Sequence, residues 1–243
     1  IMVDQVGPAA DASAGTLVVI LVAIVASVVA GMVCGILNGL SISVVGIPPI
    51  LATLGSGLVF TGIAIVIPDG KAIVGLPSAF SVVGNGAIAG IPVPLLIFAA
   101  AAAFLAYVLE GTGLGLKIYM LGTNPRASMF AGLNNRRVLI EAYMLSGVYA
   151  AAAGLVMMSR ANSAKADYGS SYMLLSILIG VLGGVNPDGG SGKVLGVTIA
   201  VLALQFLASG FNILQYSNFA KDMVWGLMLL IVLLLNARSR SRV

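Results

Sequence analysis

The sequence contains no histidine, a single cysteine and few charged residues, and each scarcity excludes a class of function. Without histidine, the chain lacks the commonest general base and the commonest metal ligand. The one cysteine, Cys34, lies in an apolar segment, so no internal disulfide can form. No helix face carries paired carboxylates. The sequence therefore offers no combination of side chains for acid–base, nucleophilic or metal-dependent catalysis, and we predict a non-catalytic chain.

The small number of charged residues also indicates whether the chain folds in water or in a membrane. Charged residues make up 8% of the 243 residues, whereas soluble proteins contain about 25%. Hydrophobic residues reach 60% and the mean hydropathy is +1.11. The net charge of +4 comes without basic clusters or aromatic platforms, so we expect no nucleic-acid partner. These values predict an integral membrane protein.

Long stretches without a charged residue outline the membrane spans, because charge is costly in hydrocarbon. One helical span needs about 20 apolar residues. The first stretch is long enough for two spans, which Pro48 and Pro49 divide. We predict an all-α polytopic membrane protein with helices at about 16–42, 50–67, 93–110, 138–159, 171–185, 194–214 and 222–237. The fifth helix is short for a full span, so it is tilted, broken or partly re-entrant.

The distribution of basic residues predicts the orientation. Alternating spans place segments 111–137, 186–193 and 238–243 on one side, and these segments carry eight of the twelve basic residues: Lys117, Arg126, Arg136, Arg137, Lys193, Arg238, Arg240 and Arg242. The other side carries Lys71, Arg160, Lys165 and Lys221. The positive-inside tendency favours the first side as cytoplasmic.

The first fifteen residues show neither the basic flank nor the cleavage site of a signal peptide, and the chain starts without methionine. We expect this segment to be a loop exposed by truncation of a longer chain. We expect residues 1–243 to form a single transmembrane domain, with a cytoplasmic loop at 120–138.

Small residues at four-residue spacing predict close helix packing. Gly31, Gly35 and Gly39 share one face of the first helix, where they allow another backbone to approach. Packing within the chain and a dimer contact are the two interpretations, the first being favoured. The same expectation of close packing covers Gly55, Gly57, Gly62 and the alanine run 99–103.

Polar residues inside the predicted spans are hydroxyls and amides: Asn38, Thr53, Ser56, Thr61, Ser146, Thr198, Gln205 and Asn212. An ion or proton pathway would require buried charges, so these residues favour a route for a neutral polar solute. The candidate pathway residues are Asn38, Thr53, Ser56, Thr61, Ser146 and Gln205. A helix-to-helix hydrogen bond is the alternative role for each of them.

Two irregular segments need separate interpretation. Residues 68–92 are too polar and too rich in glycine and proline to span, so they form a connecting loop, a cover over a pathway or a partner surface. The stretch "GGVNPDGGSGKVLG" at 183–196 resembles a phosphate-binding loop in composition. That motif needs Gly at the position of Pro187 and Ser or Thr at that of Val194. We therefore predict a tight turn on the cytoplasmic side.

The longest cytoplasmic segment contains a predicted helix of about two turns. Asn124 suits the N-cap, Pro125 the first helical position and Gly132 the residue beyond the end. Met129 and Phe130 form an apolar tip beside Arg126. Such a helix is either a docking surface for another protein or part of a solvated loop.

Several motifs in one order resemble the ribose-type sugar permeases of bacterial ABC importers. They are "GILNG" and "IPPILATLGSG" within 35–57, the pattern Gly122-x-Asn124-x-x-Ala127-x-x-x-x-Gly132, "LSGVYAAAAGL" at 145–155 and the glycine-rich stretch at 183–196. The resemblance covers about residues 30 to 236. Such permeases have about three further spans before this region. Ser128 stands where a second alanine is common, and "NPD" at 186–188 replaces small hydroxyl residues.

The resemblance implies a permease subunit of the bacterial inner membrane. It would pair with a second permease, identical or related, and bind two copies of an ATP-binding subunit and a periplasmic or lipid-anchored solute-binding protein. ATP and Mg would be bound by the ATPase, with no cofactor in this chain. The coupling helix would comprise Asn124, Pro125, Arg126, Ala127, Ser128, Met129, Phe130 and Gly132. Permeases for branched-chain amino acids or nucleosides, a channel and, least favoured, a membrane-embedded enzyme are the alternatives.

Overall fold

The computed structural model describes residues 14–240, without the side chains of residues 14, 171, 218 and 235–240. The helices are α1 (Ala14–Ser43), α2 (Pro49–Val66), α3 (Ser78–Asn85), α4 (Val93–Gly111), α5 (Gly113–Thr123), α6 (Pro125–Phe130), α7 (Asn135–Ala161), α8 (Ser170–Leu182), α9 (Val194–Ile213) and α10 (Asn218–Arg240). Four two-residue strands are β1 (Ile73–Val74), β2 (Ala87–Ile88), β3 (Ile91–Pro92) and β4 (Ser163–Ala164). The antiparallel pairs are β1 with β4 and β2 with β3. The predicted N-terminal loop and Arg242 lie outside the described residues.

Helices occur at all seven predicted positions, and the chain is an all-α polytopic membrane protein. Helices α1, α2, α4, α7 and α9 are long and apolar enough to cross a membrane. Helix α8 has 13 residues, about 20 Å, and is shorter than a hydrocarbon core of about 30 Å. It ends three residues before the predicted bound because Gly184 adopts a φ of +81° just after Gly183. The count of seven full spans stays a prediction.

Two helices were not predicted. Helix α3 lies within the irregular segment 68–92, and α5 fills most of the loop between α4 and α6. Segment 68–92 is therefore more ordered than a simple connecting loop.

The chain divides into two compact units. The first comprises Ile1–Ala101 and Arg136–Tyr168, and the second comprises Ala102–Asn135 and Gly169–Val243. The expected single transmembrane domain and its loop at 120–138 stay predictions.

In the first unit, the predicted glycine face of α1 packs on α7. A β-carbon on Gly31 would lie 2.5 Å from the carbonyl oxygen of Gly147, and one on Gly39 would lie 2.8 Å from the Cα of Ile140. A β-carbon on Gly35 would overlap the carbonyl oxygen of Tyr143. These contacts are within the chain, as the favoured interpretation expected, and they join two backbones without intervening side chains.

In the described part of the chain, no such contact is observed at the glycines of α2, and close packing there stays a prediction. Among the described residues, a β-carbon on Gly55, Gly57 or Gly62 would meet nothing within 4 Å. In the alanine run, by contrast, the Tyr149 hydroxyl of α7 donates a hydrogen bond to the carbonyl of Ala101 at 2.9 Å. Small residues permit a close approach, but no other described segment lies against the α2 glycines.

Helix α3 is attached to the end of α7 through the buried side chain of Ser159, which is 1% exposed. The Ser159 hydroxyl accepts a hydrogen bond from the amide of Gly84 at 2.8 Å and donates one to the carbonyl of Phe80 at 2.6 Å. Nearby, β1 pairs with β4, with Val74 opposite Ser163. Segment 68–92 is thus held to the α7–α8 connection at two places.

The second unit has an apolar core between α8, α9 and α10. Leu178, Leu204 and Trp225 are buried there, and Leu178 is fully inaccessible. Phe211 contacts Trp225 edge-on, with the ring centroids 5.8 Å apart. This core holds the short helix α8 between two longer ones.

Candidate functional site

The start of helix α6 is fixed by its own first residues. Asn124 has extended backbone angles, and its side-chain oxygen accepts hydrogen bonds from the amides of Arg126 at 3.1 Å and Ala127 at 3.0 Å. Pro125 occupies the first helical position, where no amide donor is needed. The predicted N-cap is therefore present in the structure.

The end of α6 is closed by a Schellman motif. Gly132 has a φ of +82°, which a glycine adopts without strain. The amide of Gly132 donates to the carbonyl of Met129 at 3.0 Å, and the amide of Leu133 donates to the carbonyl of Ser128 at 3.1 Å. Six residues, fewer than two full turns, are thus held in one conformation by both ends.

Two large apolar side chains project from this short helix. Met129 is 59% exposed and Phe130 is 86% exposed, and Arg126 is exposed on the preceding turn. We call Met129 and Phe130 the α6 tip. A rigid helix that presents an aromatic and a thioether side chain beside a guanidinium has the residue types enriched at protein interfaces.

Ser128 differs from its neighbours because it is only 2% exposed. Its hydroxyl lies 2.9 Å from the carbonyl oxygen of Pro125 and 2.9 Å from Oδ1 of Asn135, the first residue of α7. The Asn135 amide nitrogen in turn donates to the carbonyl of Pro125 at 2.8 Å. We call these three groups the Ser128–Asn135 clamp. Ser128 faces Asn135, so it supports the helix from within and does not form its outer surface.

The glycine-rich loop at 183–193 lies against the end of α5. A β-carbon on Gly190, whose φ is +80°, would lie 2.8 Å from the Cα of Thr123. The Tyr119 hydroxyl donates a hydrogen bond to the carbonyl of Gly192 at 2.8 Å. Two segments that were predicted to share the cytoplasmic side therefore meet within the second unit, next to the N-cap of α6.

Replacement of Asn124 by alanine is expected to loosen α6, whereas replacement by aspartate should preserve it. Alanine removes the acceptor for two backbone amides and costs about 1 kcal/mol, while aspartate keeps an N-cap oxygen. Hydrogen–deuterium exchange of residues 125–132 in the full-length protein measures the difference. We expect exchange about fivefold faster in Asn124→Ala. Equal exchange in both variants would show that the cap does not hold the helix.

Of the candidate pathway residues, Gln205 lies in the second unit and the other five lie in the first. Asn38 and Ser56 are joined directly, the Ser56 hydroxyl donating to Oδ1 of Asn38 at 2.5 Å between α1 and α2. Thr53 donates to the carbonyl of Pro49 at 2.8 Å in its own helix. The remaining three are exposed on their helices: Thr61, Ser146 and Gln205. A helix-to-helix bond is thus observed for one pair, and the role of these residues in a pathway stays a prediction.

Comparison with known proteins agrees with this architecture. The profile of the family described as "Branched-chain amino acid transport system / permease component" matches residues 1–233. The chain belongs to this permease family. No solved structure matches it.

Curated relatives carry the names of import permeases. The chain is 36% identical to the Ribose import permease protein RbsC of Bacillus subtilis over 206 residues, 84% of this chain and 64% of the relative. It is 32% identical to the protein of the same name from Haemophilus influenzae, over 82% of this chain and 62% of the relative. It is 31% identical to the Autoinducer 2 import system permease protein LsrD of Yersinia enterocolitica, over 85% of this chain and 64% of the relative.

The chain spans less than two thirds of the length of these curated relatives. Its family, its relatives and its apolar helices make it a multi-pass protein of the bacterial inner membrane. The permease family also indicates a transporter component.

Two residues at the candidate site were missed in the sequence. Asn135 stands in "LNNRR", where two asparagines before an apolar segment are N-cap residue types but do not indicate a contact with α6. The sequence predicts that the glycines of this turn allow positive φ and close backbone approach, but it does not indicate Thr123 as the partner of Gly190. Gly190 contacts Thr123, which is distant in sequence, whereas Asn135 contacts residues 7 and 10 positions away in another helix. No pattern within one helix or turn indicates either contact.

Proposed function

We propose that the chain is the permease subunit of an ATP-binding-cassette importer. In this proposal it moves a neutral polar solute, a monosaccharide such as ribose or a related sugar, across the bacterial inner membrane. Transport proceeds by alternating access that a partner ATPase drives. The observation that carries the proposal is helix α6, a short helix fixed at both ends whose tip exposes Met129 and Phe130.

The α6 tip fits the contact with an ATPase subunit. Phe130 and Met129 can enter an apolar pocket, while Arg126 remains at the rim, where a charge adds specificity. The assembly would contain this chain, a second permease subunit, two ATP-binding subunits and an external solute-binding protein in a lipid bilayer. ATP and Mg would be bound by the ATPase, and the chain itself would hold no cofactor and catalyse no reaction.

The charge distribution favours a neutral solute. Helices α1, α2, α8 and α9 contain no aspartate, glutamate, lysine or arginine. Glu110 stands in the last turn of α4, and Glu141 stands in the first two turns of α7. An ionic substrate would leave its charge without a partner along such spans. The names of the relatives, ribose and autoinducer 2 import permeases, support a sugar-type solute. The family description keeps branched-chain amino acids as the second candidate, with nucleosides beside them.

The paired substitution Met129→Asp and Phe130→Asp is expected to abolish recovery of the ATPase with the full-length permease. Two carboxylates in a desolvated apolar pocket cost several kcal/mol, enough to lower affinity at least about 100-fold. The measurement is co-purification of the ATPase with the tagged permease, with ATP-dependent uptake of ribose and leucine as the substrate readout.

The control is Val74→Asp, the same kind of change at a 71% exposed residue of β1, on the side predicted to face outward. This variant should retain the ATPase. Retention of the ATPase by the α6 variant would reject the α6 tip as the contact. Uptake that proceeds without ATP would reject the importer and favour a channel.

A further inference from the structure

We propose that Asn135 is the positioning residue that transmits ATPase movement from α6 to α7. This inference rests on the proposed function and adds the element through which the coupling helix would act. Without such a link, the six-residue helix α6 could move with the ATPase and leave α7 behind. The Ser128–Asn135 clamp provides the link.

The clamp joins α6 to α7 by side-chain hydrogen bonds at both ends of one helical turn. Asn135 donates to the carbonyl of Pro125 at the start of α6 and lies 2.9 Å from the Ser128 hydroxyl one turn later. Two attachment points restrict rotation of α6 as well as its separation from α7. The buried position of Ser128 shields its own bond with Asn135 from competition with water, whereas the bond from Asn135 to the Pro125 carbonyl is exposed.

The amide group of Asn135 is required in this geometry because it supplies one acceptor and one donor. Oδ1 faces the Ser128 hydroxyl, and Nδ2 faces the Pro125 carbonyl. Aspartate has the same shape but would place a second acceptor against that carbonyl. Asparagine and aspartate therefore separate the hydrogen bonding from the packing of this side chain.

The clamp is distinct from the surface that would contact the ATPase. Met129 and Phe130 point outward, whereas Ser128 is buried. Loss of the clamp should consequently leave ATPase binding intact and interrupt only the transmission. Replacement of a residue that contacts the ATPase would impair binding and transmission together.

The test uses the full-length permease with its ATPase in lipid nanodiscs. Hydrogen–deuterium exchange is measured with and without the non-hydrolysable nucleotide Mg·AMP-PNP, which requires no knowledge of the solute. In the unmodified complex, nucleotide should change exchange both in α6 and in the first two turns of α7.

In Asn135→Ala and Asn135→Asp, we expect ATPase recovery within about twofold of the unmodified complex, because the exposed side chains of Met129 and Phe130 are unchanged. The nucleotide-dependent change in α7 should fall at least about fivefold, the lower end of typical coupling between sites. The matched control is Ser176→Ala. The Ser176 hydroxyl donates to the carbonyl three residues earlier at 2.8 Å, as the Ser128 hydroxyl does at 2.9 Å. The described contacts of Ser176 include no side-chain partner comparable to Asn135. This variant should behave like the unmodified complex.

An unchanged α7 response in Asn135→Ala, or a normal response in Asn135→Asp, would overturn the role of Asn135 while leaving the proposed function in place. Failure of the unmodified permease to recover the ATPase would overturn both. Loss of ATPase recovery in the Asn135 variants alone would also overturn the inference, since it would make Asn135 part of the binding surface.

Discussion

Replacement of Gly35 by leucine is expected to abolish recovery of folded protein, and replacement by alanine is expected to destabilise it by about 1–3 kcal/mol. Any β-carbon at Gly35 overlaps the carbonyl oxygen of Tyr143, and it would lie 3.0 Å from the Cα of Met144. Both are backbone atoms of α7, which cannot move aside as a flexible side chain could. Helix α1 would have to separate from α7.

The clash would extend along the contact between the two helices. Gly31 meets Gly147 one turn away and Gly39 meets Ile140 on the other side, so a displaced helix loses these contacts as well. In a bilayer no hydrophobic effect between helices compensates, because lipid tails are as apolar as leucine. The expected effect of leucine is therefore larger than for overpacking in a core of side chains.

Thermal unfolding of the full-length protein in detergent, followed by size-exclusion chromatography, measures these effects. Gly154 provides the matched control because it lies in α7, and a β-carbon there meets nothing within 4 Å among the described residues. Gly154→Ala should raise stability by up to about 1 kcal/mol through helix propensity. If Gly35→Ala unfolds at the same temperature as Gly154→Ala, the α1–α7 contact is not close in the protein.

The elements that could be predicted from the sequence are those whose signals lie within one segment. Apolar length determines the spans, and the ends of α6 follow from Asn124, Pro125 and Gly132 alone. The glycines of α1 and α2 mark the limit of such reasoning. Gly31 and Gly35 pack against α7, whereas Gly57 and Gly62 meet no described atom within 4 Å. A small-residue pattern states that a helix can be approached, but the fold decides whether another segment is there.

The elements that could not be predicted depend on contacts between distant residues. Helix α3 is short, starts after Pro77 without a side-chain cap and is stabilised by Ser159, which is 75 residues from Gly84. Asn135 contacts Ser128 and Pro125, only 7 and 10 residues away, but these contacts join two helices and follow from the pattern of neither. The exposed residues and the ends of α6 could therefore be predicted from the sequence, whereas the hydrogen bonds of Asn135 that join α6 to α7 could not.

Replacement of Ser159 by alanine is expected to detach α3 from α7. The hydroxyl bridges the amide of Gly84 and the carbonyl of Phe80, two groups that a regular helix joins directly. Phe80 is 5% exposed and Ser159 is 1% exposed, so water does not readily replace the hydroxyl. Each buried group left without a partner costs about 1–3 kcal/mol.

The amide of Gly84 reports this loss directly. We expect its hydrogen exchange to accelerate about 5- to 150-fold in Ser159→Ala, which corresponds to about 1–3 kcal/mol. The matched control is Ser81→Ala in the same helix, because Ser81 only donates to the carbonyl of Ser78 at 2.8 Å in its own turn. Exchange in that variant should remain within about threefold of the unmodified protein.

The same pair of variants distinguishes attachment from local helix stability. Gly84 approaches the backbone of α7 closely, since a β-carbon there would lie 2.7 Å from the Cα of Arg160. If α3 is attached through Ser159, its loss should also expose the β1–β4 pair, and the amides around Val74 and Ser163 should exchange faster together with that of Gly84. Acceleration confined to Gly84 would contradict the attachment. In that case Ser159 would stabilise only one turn of α3, and other contacts would hold segment 68–92.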